Sequence, residues 1–427
     1  MGHLSHQKNH HILKSQLDRY PLGAPGEKLI LPILEELFTK EEALLTAKMP
    51  LGFSNIKTLS KKFKQPQNII KTKLDAMAEK GLIVDMDIGG DTMYCLPPTV
   101  VGLFEFSMMR IRDDIDQKKL ADLYHKYIVE EPYFLGTIKD NDTTPFRTLV
   151  YEESLPADYS EVLDYERASK IIDSQDFISV GLCHCRHVAY HKGKECQIFP
   201  MESCLSFGLV AKYLVKHNFA KEIKQEDAAA LVAEAKKKGL VHIGDNVQNE
   251  PAFLCNCCSC CCEVLNSFKN LDFFTNRFSS NFEAVVKKDH CNGCTACEKA
   301  CPVDAIKMSS EKNTQTGTLI KKAVINPDVC IGCGVCVQAC KKDAIKMNPR
   351  KQKHLVPEDS IARTIMMAVE NNKLQELIID RHASLSNAAI AAVIKAILNL
   401  PPAKQLLAQQ SIKSRFVNFL ASKNRNP

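Results

Sequence analysis

The chain has 427 residues, of which 45% are apolar and 25% charged, and its formal net charge is +6 at pH 7. That length accommodates roughly two to four domains with their own cores, and the apolar share excludes a disordered chain. The modest positive charge suits an acidic partner and requires neither nucleic acid nor an anionic membrane.

The unusual feature is cysteine, with 19 residues. What the thiols do depends on the compartment. The opening stretch MGHLSHQKNHHILKSQLDRYPLG has no apolar core and no small-residue cleavage site, so it does not read as a signal peptide. The most apolar helical stretch, NAAIAAVIKAILNL, carries Lys395 and stops at Pro401 and Pro402, too short to span a bilayer. A cytoplasmic location is expected, where thiols stay reduced and serve metals rather than a disulfide scaffold.

Residues 1–25 read as a polar tail, with His3, His6, His10 and His11 in it. From Gly26 onward, EKLILPILEELFTKEEALLTA has helical periodicity, with Thr39 before Glu41 and Glu42 marking a second helix start. Pro66 opens QNIIKTKLDAMAEKG, in which Ile70, Leu74 and Met77 share a face and Gly81 stands where a C-cap glycine belongs. LIVDMDIGGDTMYCL then gives two short strands about Gly89 and Gly90. Helices followed by a hairpin predict a winged-helix-like domain over residues 26–100. Cys95, in the hairpin, lies outside every cluster motif and reads as a small buried hydrophobe.

Residues 101–280 read as a mixed α/β domain with two cysteine modules, at 181–208 and 255–262. RASKIIDSQDF and QEDAAALVAEAKKKG are helical, and LVHIG is a strand. The first module, GLCHCRHVAYHKGKECQIFPMESCLSFG, holds Cys183, Cys185, Cys196 and Cys204, together with His184, His187 and His191. Four thiolates so close in sequence suffice to close a metal site. The C-x-C pair is tighter than the usual zinc C-x2-C, which favours a third iron–sulfur cluster over zinc. Arg186, beside the pair, is placed to donate to a cluster sulfide or bind an anion.

The second module, CNCCSCCC, packs Cys255, Cys257, Cys258, Cys260, Cys261 and Cys262 into eight residues. Neighbouring side chains diverge, so the six cannot all grip one ion. Either the segment shares ligands with the first module, or it forms a separate site with spare thiols for exchange.

CNGCTACEKACP and CIGCGVCVQACK, at 291–302 and 330–341, repeat the spacing C-x2-C-x2-C-x3-C. DAIK follows both copies, AVINPDVC supplies a strand before the second, and Gly293, Gly332 and Gly334 let backbone approach sulfide closely. The stretch 281–350 resembles the double-cluster domain of bacterial two-cluster ferredoxins, in which the fourth cysteine of each motif serves the other cluster. The resemblance implies two [4Fe–4S] clusters, one on Cys291, Cys294, Cys297 and Cys340, the other on Cys330, Cys333, Cys336 and Cys301. Lys341 departs from the family by standing where proline normally follows the second motif. Lys287, Lys288, Lys299, Lys307, Lys321, Lys322, Lys341, Lys342 and Lys346 surround the motifs and favour reduced clusters and a redox partner with an acidic docking face. Residues 351–427 read as a helical appendage without a motif. Taken whole, the chain is expected to be α+β and multidomain.

CHCR, the P-x-E-x-C-L-x-F-G stretch, GLVH, CNCCSCCC and the double motif together resemble a group of 4Fe-4S-binding proteins of anaerobes, many with a winged-helix-like N-terminus. That resemblance spans residues 28–350 and implies that both central cysteine modules belong with the clusters. The leading expectation is an iron–sulfur electron-transfer protein relaying single electrons to a partner enzyme. Neither G-x-G-x-x-G after a strand nor a P-loop is present, so hydride chemistry would lie in the partner. The alternative is a redox-sensing winged-helix regulator on DNA, supported by Lys57, Lys61, Lys62, Lys64, Lys71 and Lys73. Asp85, Asp87 and Asp91 in the hairpin and the lack of arginine between Gly26 and Met109 oppose it. A scaffold that holds or hands on clusters is a third class. No catalytic acid, base or nucleophile stands out.

Overall fold

The computed structural model describes residues 3–131, 133–155, 164–270, 275–312 and 319–378. Over the described residues 3–25 the chain is not the polar tail the composition suggested. Helix α1 (His3–Leu17) buries Leu13 and Leu17 completely, and Leu22 and Ala24 continue the same core. The histidines obscured this face, yet His10 is itself buried, its Nε2 hydrogen-bonded to the Phe38 carbonyl at 2.9 Å.

Helices α2 (Glu27–Leu37) and α3 (Lys40–Thr46) pack against α1. α3 starts in a capping box: Thr39 Oγ1 accepts from the Glu42 N–H and the Glu42 carboxylate accepts from the Thr39 N–H. Strand β1 (Ser54–Asn55) and helices α4 (Ile56–Phe63) and α5 (Gln67–Glu79) follow, and α5 buries Ile70, Leu74 and Met77. Strands β2 (Val84–Ile88) and β3 (Asp91–Cys95) form a hairpin through Gly89 and Gly90, both at positive φ, and β1 adds to β3. Cys95, at the end of β3, packs into a small core with Tyr213 and Phe219, and burial pushes its thiol up to about 12.

Helices α6 (Phe104–Met108), α7 (Gln117–His125) and α8 (Tyr133–Ile138) lead into an antiparallel six-stranded sheet. Its strands are β4 (Phe146–Leu149), β5 (Ile178–Leu182), β6 (Glu202–Phe207), β7 (Ala220–Ile223), β8 (Val241–Asp245) and β9 (Phe253–Cys257), in the order β4-β8-β9-β6-β5-β7. Helices α9 (Ala168–Asp173), α10 (His184–His191), α11 (Gly208–Lys216) and α12 (Gln225–Lys237) join these strands, and α13 (Glu263–Asn270) follows β9. The central pair β6–β9 carries Cys204 directly opposite Cys255. A register shift at Gly181/Leu182 ends β5 immediately before Cys183.

The N-terminal unit is bound to this sheet rather than tethered. Asp85 of β2 accepts from His217 Nε2 at 2.6 Å and Lys216 Nζ at 2.7 Å, both at the C-terminal end of α11. The Tyr213 hydroxyl donates to the Ile83 carbonyl at 3.0 Å.

The repeat region folds as two short helices, α14 (Ala296–Ala300) and α15 (Val335–Ala339), with two antiparallel strand pairs. β10 (Phe282–Val286) pairs β13 (Ile345–Pro349), and β11 (Ile306–Lys312) pairs β12 (Leu319–Ile325). Beyond it, α16 (Ser360–Glu370) and α17 (Leu374–Ile378) pack back on the chain: Glu370 accepts from Thr143, and Arg19 Nε donates to Glu376 at 3.0 Å. The rest of the expected helical appendage, 379–427, lies outside the described residues. Among the described residues no helix is long and apolar enough to cross a membrane.

Candidate metal centres

The two halves of the repeat exchange their last cysteines. One cavity is lined by Cys330, Cys333, Cys336 and Cys301, the other by Cys291, Cys294, Cys297 and Cys340, each enclosing about 320 Å³ with its mouth included. The local geometry is repeated as well. The Ala305 N–H donates to Cys301 Sγ at 3.2 Å, and the Ala344 N–H to Cys340 Sγ at 3.3 Å. Gly332, at φ +68°, has no room for a side chain, because a Cβ there would stand 2.2 Å from the Phe282 carbonyl oxygen. Backbone pressed against a thiolate-lined cavity, with N–H groups turned to sulfur, suits an anionic iron–sulfur core.

The two cavities differ in exposure. Cys330, Cys333 and Cys336 are buried, whereas Cys294 is exposed and Cys291 and Cys340 are partly so. Lys342 lines the outer cavity, and Lys322 Nζ is tied down by the Cys291 carbonyl at 2.6 Å. The inner cavity faces the central sheet. The Tyr151 N–H donates to the Cys333 carbonyl at 3.1 Å, and the Tyr151 ring lies 5.5 Å from that of His242 on β8. His242 Nδ1 meets Asn256 Oδ1 at 3.0 Å, and Asn256 sits between Cys255 and Cys257 on β9. Burial pushes His242 down to about 4, so it is neutral.

The ten central cysteines sort into two groups that cut across both sequence modules. Cys196 does not stay with Cys183, Cys185 and Cys204; it joins Cys258, Cys260 and Cys261, and the four sulfurs lie within 4.8 Å of one another. The second group holds the other six. Cys185 touches Cys183 and Cys262, Cys257 touches Cys262 and Cys255, and Cys255 touches Cys204. Strand alternation explains part of the sorting: Cys255 and Cys257 project from the same face of β9, the face Cys204 shares. After β9 the chain turns, presenting Cys258, Cys260 and Cys261 to the Cys196 loop before Cys262 rejoins the six-thiol group.

Arg186 lies between the groups. Its side chain is 2% exposed, donates to Ser203 Oγ and to the Asn256 carbonyl at 2.8 Å, and leaves Nε with no partner. Burial alone would lower Arg186, but the charges of Cys183 and Cys258 and contact with Cys196 raise it. The guanidinium thus faces sulfur from both groups and offsets thiolate charge where water cannot. Two helix starts add to it: backbone N–H groups of Arg186 reach Cys183, and those of Leu265 and Val264 reach Cys262. Contact with Cys261, aided by Arg186 and against the pull of burial, holds Cys258 below the usual thiol range.

The histidines of the first module support the site rather than joining either thiol group. His184 spans the Phe104 carbonyl at 3.1 Å and Glu263 Oε2 at 3.2 Å. His187 Nδ1 meets the Met108 carbonyl at 2.7 Å, and His191 lies against His187. Sequence reasoning missed Glu105 and Glu263, partly or fully buried carboxylates beside the six-thiol group. Burial raises Glu105, while hydrogen bonds from His125 and His184 overcome burial and lower Glu263. The signal for Glu263 was its place directly after Cys262.

Residues 290–351 match the family model of the 4Fe-4S dicluster domain. No curated protein matches the chain, and no solved structure does. The matched stretch is a ferredoxin-type, metal-binding iron–sulfur domain.

Proposed function

We propose that the chain relays single electrons through two [4Fe–4S] clusters and an iron–sulfur centre on the six central cysteines to a partner redox enzyme. The observation that carries the reading is the exchange of Cys301 and Cys340 between two cavities that each gather four thiols. Cluster 1 is held by Cys291, Cys294, Cys297 and Cys340, and cluster 2 by Cys330, Cys333, Cys336 and Cys301. When bound, the clusters supply one-electron redox chemistry; the protein supplies their ligands, their spacing and their dielectric. Cluster 1 is the entry point, because Cys294 is exposed among lysines that suit an acidic donor. Cluster 2 passes the electron inward, past Tyr151, His242 and Asn256, to Cys183, Cys185, Cys204, Cys255, Cys257 and Cys262. Six thiolates exceed the four terminal positions of a cubane, so this centre takes more than four irons or a second small cluster.

The N-terminal unit is read as a winged helix used in protein docking. Two lysines that DNA binding would use are committed elsewhere: Lys71 Nζ to Asp75 at 2.6 Å and Lys73 Nζ to Glu41 at 2.8 Å. Asp85, in the hairpin, is spent on α11.

The test is anaerobic purification with iron and sulfide counting, and EPR after dithionite reduction. Two reduced-cluster signals from the dicluster domain are expected, with iron beyond the roughly eight atoms of two cubanes. Cys340→Ser should remove the cluster 1 signal and Cys301→Ser that of cluster 2. Colourless protein after reconstitution with iron and sulfide would overturn the reading.

A further inference from the structure

A single ion held by four thiolates leaves a tighter mark on a protein than a cubane does. With metal–sulfur bonds of about 2.3 Å, the edges of the sulfur tetrahedron are about 3.8 Å. In a cubane each cysteine binds a different iron, so its sulfurs stand farther apart.

The central quartet has the tighter spacing. Cys196 Sγ lies 3.7 Å from Cys258 Sγ and 3.9 Å from Cys260 Sγ, and Cys260 Sγ is 3.5 Å from Cys261 Sγ. Among the described residues these four sulfurs form a group within 4.8 Å, and neither quartet of the dicluster domain forms one. The same chain therefore displays both spacings, which makes the dicluster cavities an internal comparison for the central quartet.

We propose that Cys196, Cys258, Cys260 and Cys261 bind one zinc ion in a closed tetrathiolate site, separate from the six-thiol group. Four sulfurs complete the tetrahedral shell of a structural zinc, leaving no open position for substrate. Zinc outcompetes ferrous iron for a site of given ligands, and a tetrahedral four-sulfur site fits its geometry. Four thiolates on a divalent ion leave two net negative charges, and the buried Arg186 guanidinium stands against Cys196 and Cys258 to offset them.

The ion acts as a clasp. It ties the loop after α10, through Cys196, to the turn after β9. That turn is flanked by Cys257 and Cys262, which belong to the six-thiol group, so the clasp sets the separation of two of that group's ligands. The preference for iron–sulfur over zinc drawn from the C-x-C pair does not reach this site, because Cys183 and Cys185 are not part of it.

The inference does not depend on iron in the dicluster domain, and its test reads the two separately. Full-length protein is purified anaerobically, its zinc and iron are counted, and the zinc shell is measured by X-ray absorption. The expected result is one zinc per chain with four sulfur neighbours at about 2.3 Å. Cys258→Ser and, separately, Cys260→Ser should each lower zinc occupancy at least tenfold under competition with a chelator, while the EPR signals of the reduced dicluster domain persist. Measurement of the unaltered chain keeps the proposal refutable should a variant fail to fold. Zinc-free protein, a zinc shell containing nitrogen or oxygen, or a single iron in the quartet would each overturn the proposal.

Discussion

Gly332 offers the sharpest test of how backbone and cluster fit together. Its φ is +68°, and a Cβ would meet the Phe282 carbonyl oxygen at 2.2 Å and Ser280 Oγ at 2.3 Å. Ser280 cannot simply swing aside, since its Oγ donates to the Gly332 carbonyl at 2.6 Å. Placing alanine in the left-handed region costs about 1–2 kcal/mol. Pushing β10 backbone away from a packed neighbour adds about 1–3 kcal/mol. Gly332→Ala should thus destabilise the domain by roughly 2–5 kcal/mol. Gly89→Ala isolates the first contribution, because Gly89 has φ +63° and nothing stands within 4 Å of its added Cβ. The assay is urea unfolding of the anaerobically reconstituted chain, followed by cluster absorbance and far-ultraviolet circular dichroism. Gly332→Ala should lose cluster 2 absorbance at much lower urea, while Gly89→Ala shifts only the dichroism, and slightly. Equal, small shifts in both variants would refute the claim that close approach to β10 shapes the cluster 2 loop.

Thr295 occupies the place in the first motif that Gly334 holds in the second, at φ +66°, a strained conformation for a β-branched residue; Thr295→Gly should raise the urea midpoint for cluster 1 by the equivalent of about 1 kcal/mol, and a lower midpoint would contradict the strain. Burial pushes the Asp85 carboxyl up, but hydrogen bonds from His217 and Lys216 prevail and hold it below the usual carboxylate range. Such a depressed acid stabilises the fold above its unfolded pKa, and that contribution is lost as pH falls through the folded value. Asp85→Asn should therefore cost about 1–3 kcal/mol at pH 7 and flatten the acid limb of a stability-against-pH curve below about pH 4; an unchanged limb would show that the contact is idle. Arg186→Met should destabilise the central domain by about 3–5 kcal/mol and deplete its metals while sparing the dicluster EPR signals, and full central metal content in that variant would remove Arg186 from the charge balance.

How much was legible in sequence varied with how local each arrangement is. The dicluster cysteines sit on tight loops whose spacing sets where sulfur can go, and the resemblance to two-cluster ferredoxins already implied the exchange of Cys301 and Cys340. Helix α1 was misread because histidines broke its apolar stripe, although His10, Leu13 and Leu17 already stood at helical spacing on one face. The ten central thiols were illegible for a different reason. Which of them meet depends on the register of β6 against β9, placing Cys204 opposite Cys255, and on the Cys196 loop reaching the turn after β9. Both are long-range pairings that leave no periodicity in either module.

That interleaving answers why so dense a run as CNCCSCCC can exist without waste. Cys257 and Cys258 are adjacent, yet strand alternation and the following turn send them to different groups; Cys261 and Cys262 part in the same way, while Cys260 and Cys261 stay together in the quartet with sulfurs 3.5 Å apart. The arrangement also couples the sites. Cys258, Cys260 and Cys261 are bracketed by Cys257 and Cys262, so backbone that relaxes when the quartet opens carries two ligands of the six-thiol group with it. A chelator that strips the quartet should consequently loosen the larger centre too, whereas loss of cluster 1, whose four cysteines belong to neither central group, should leave both central sites intact.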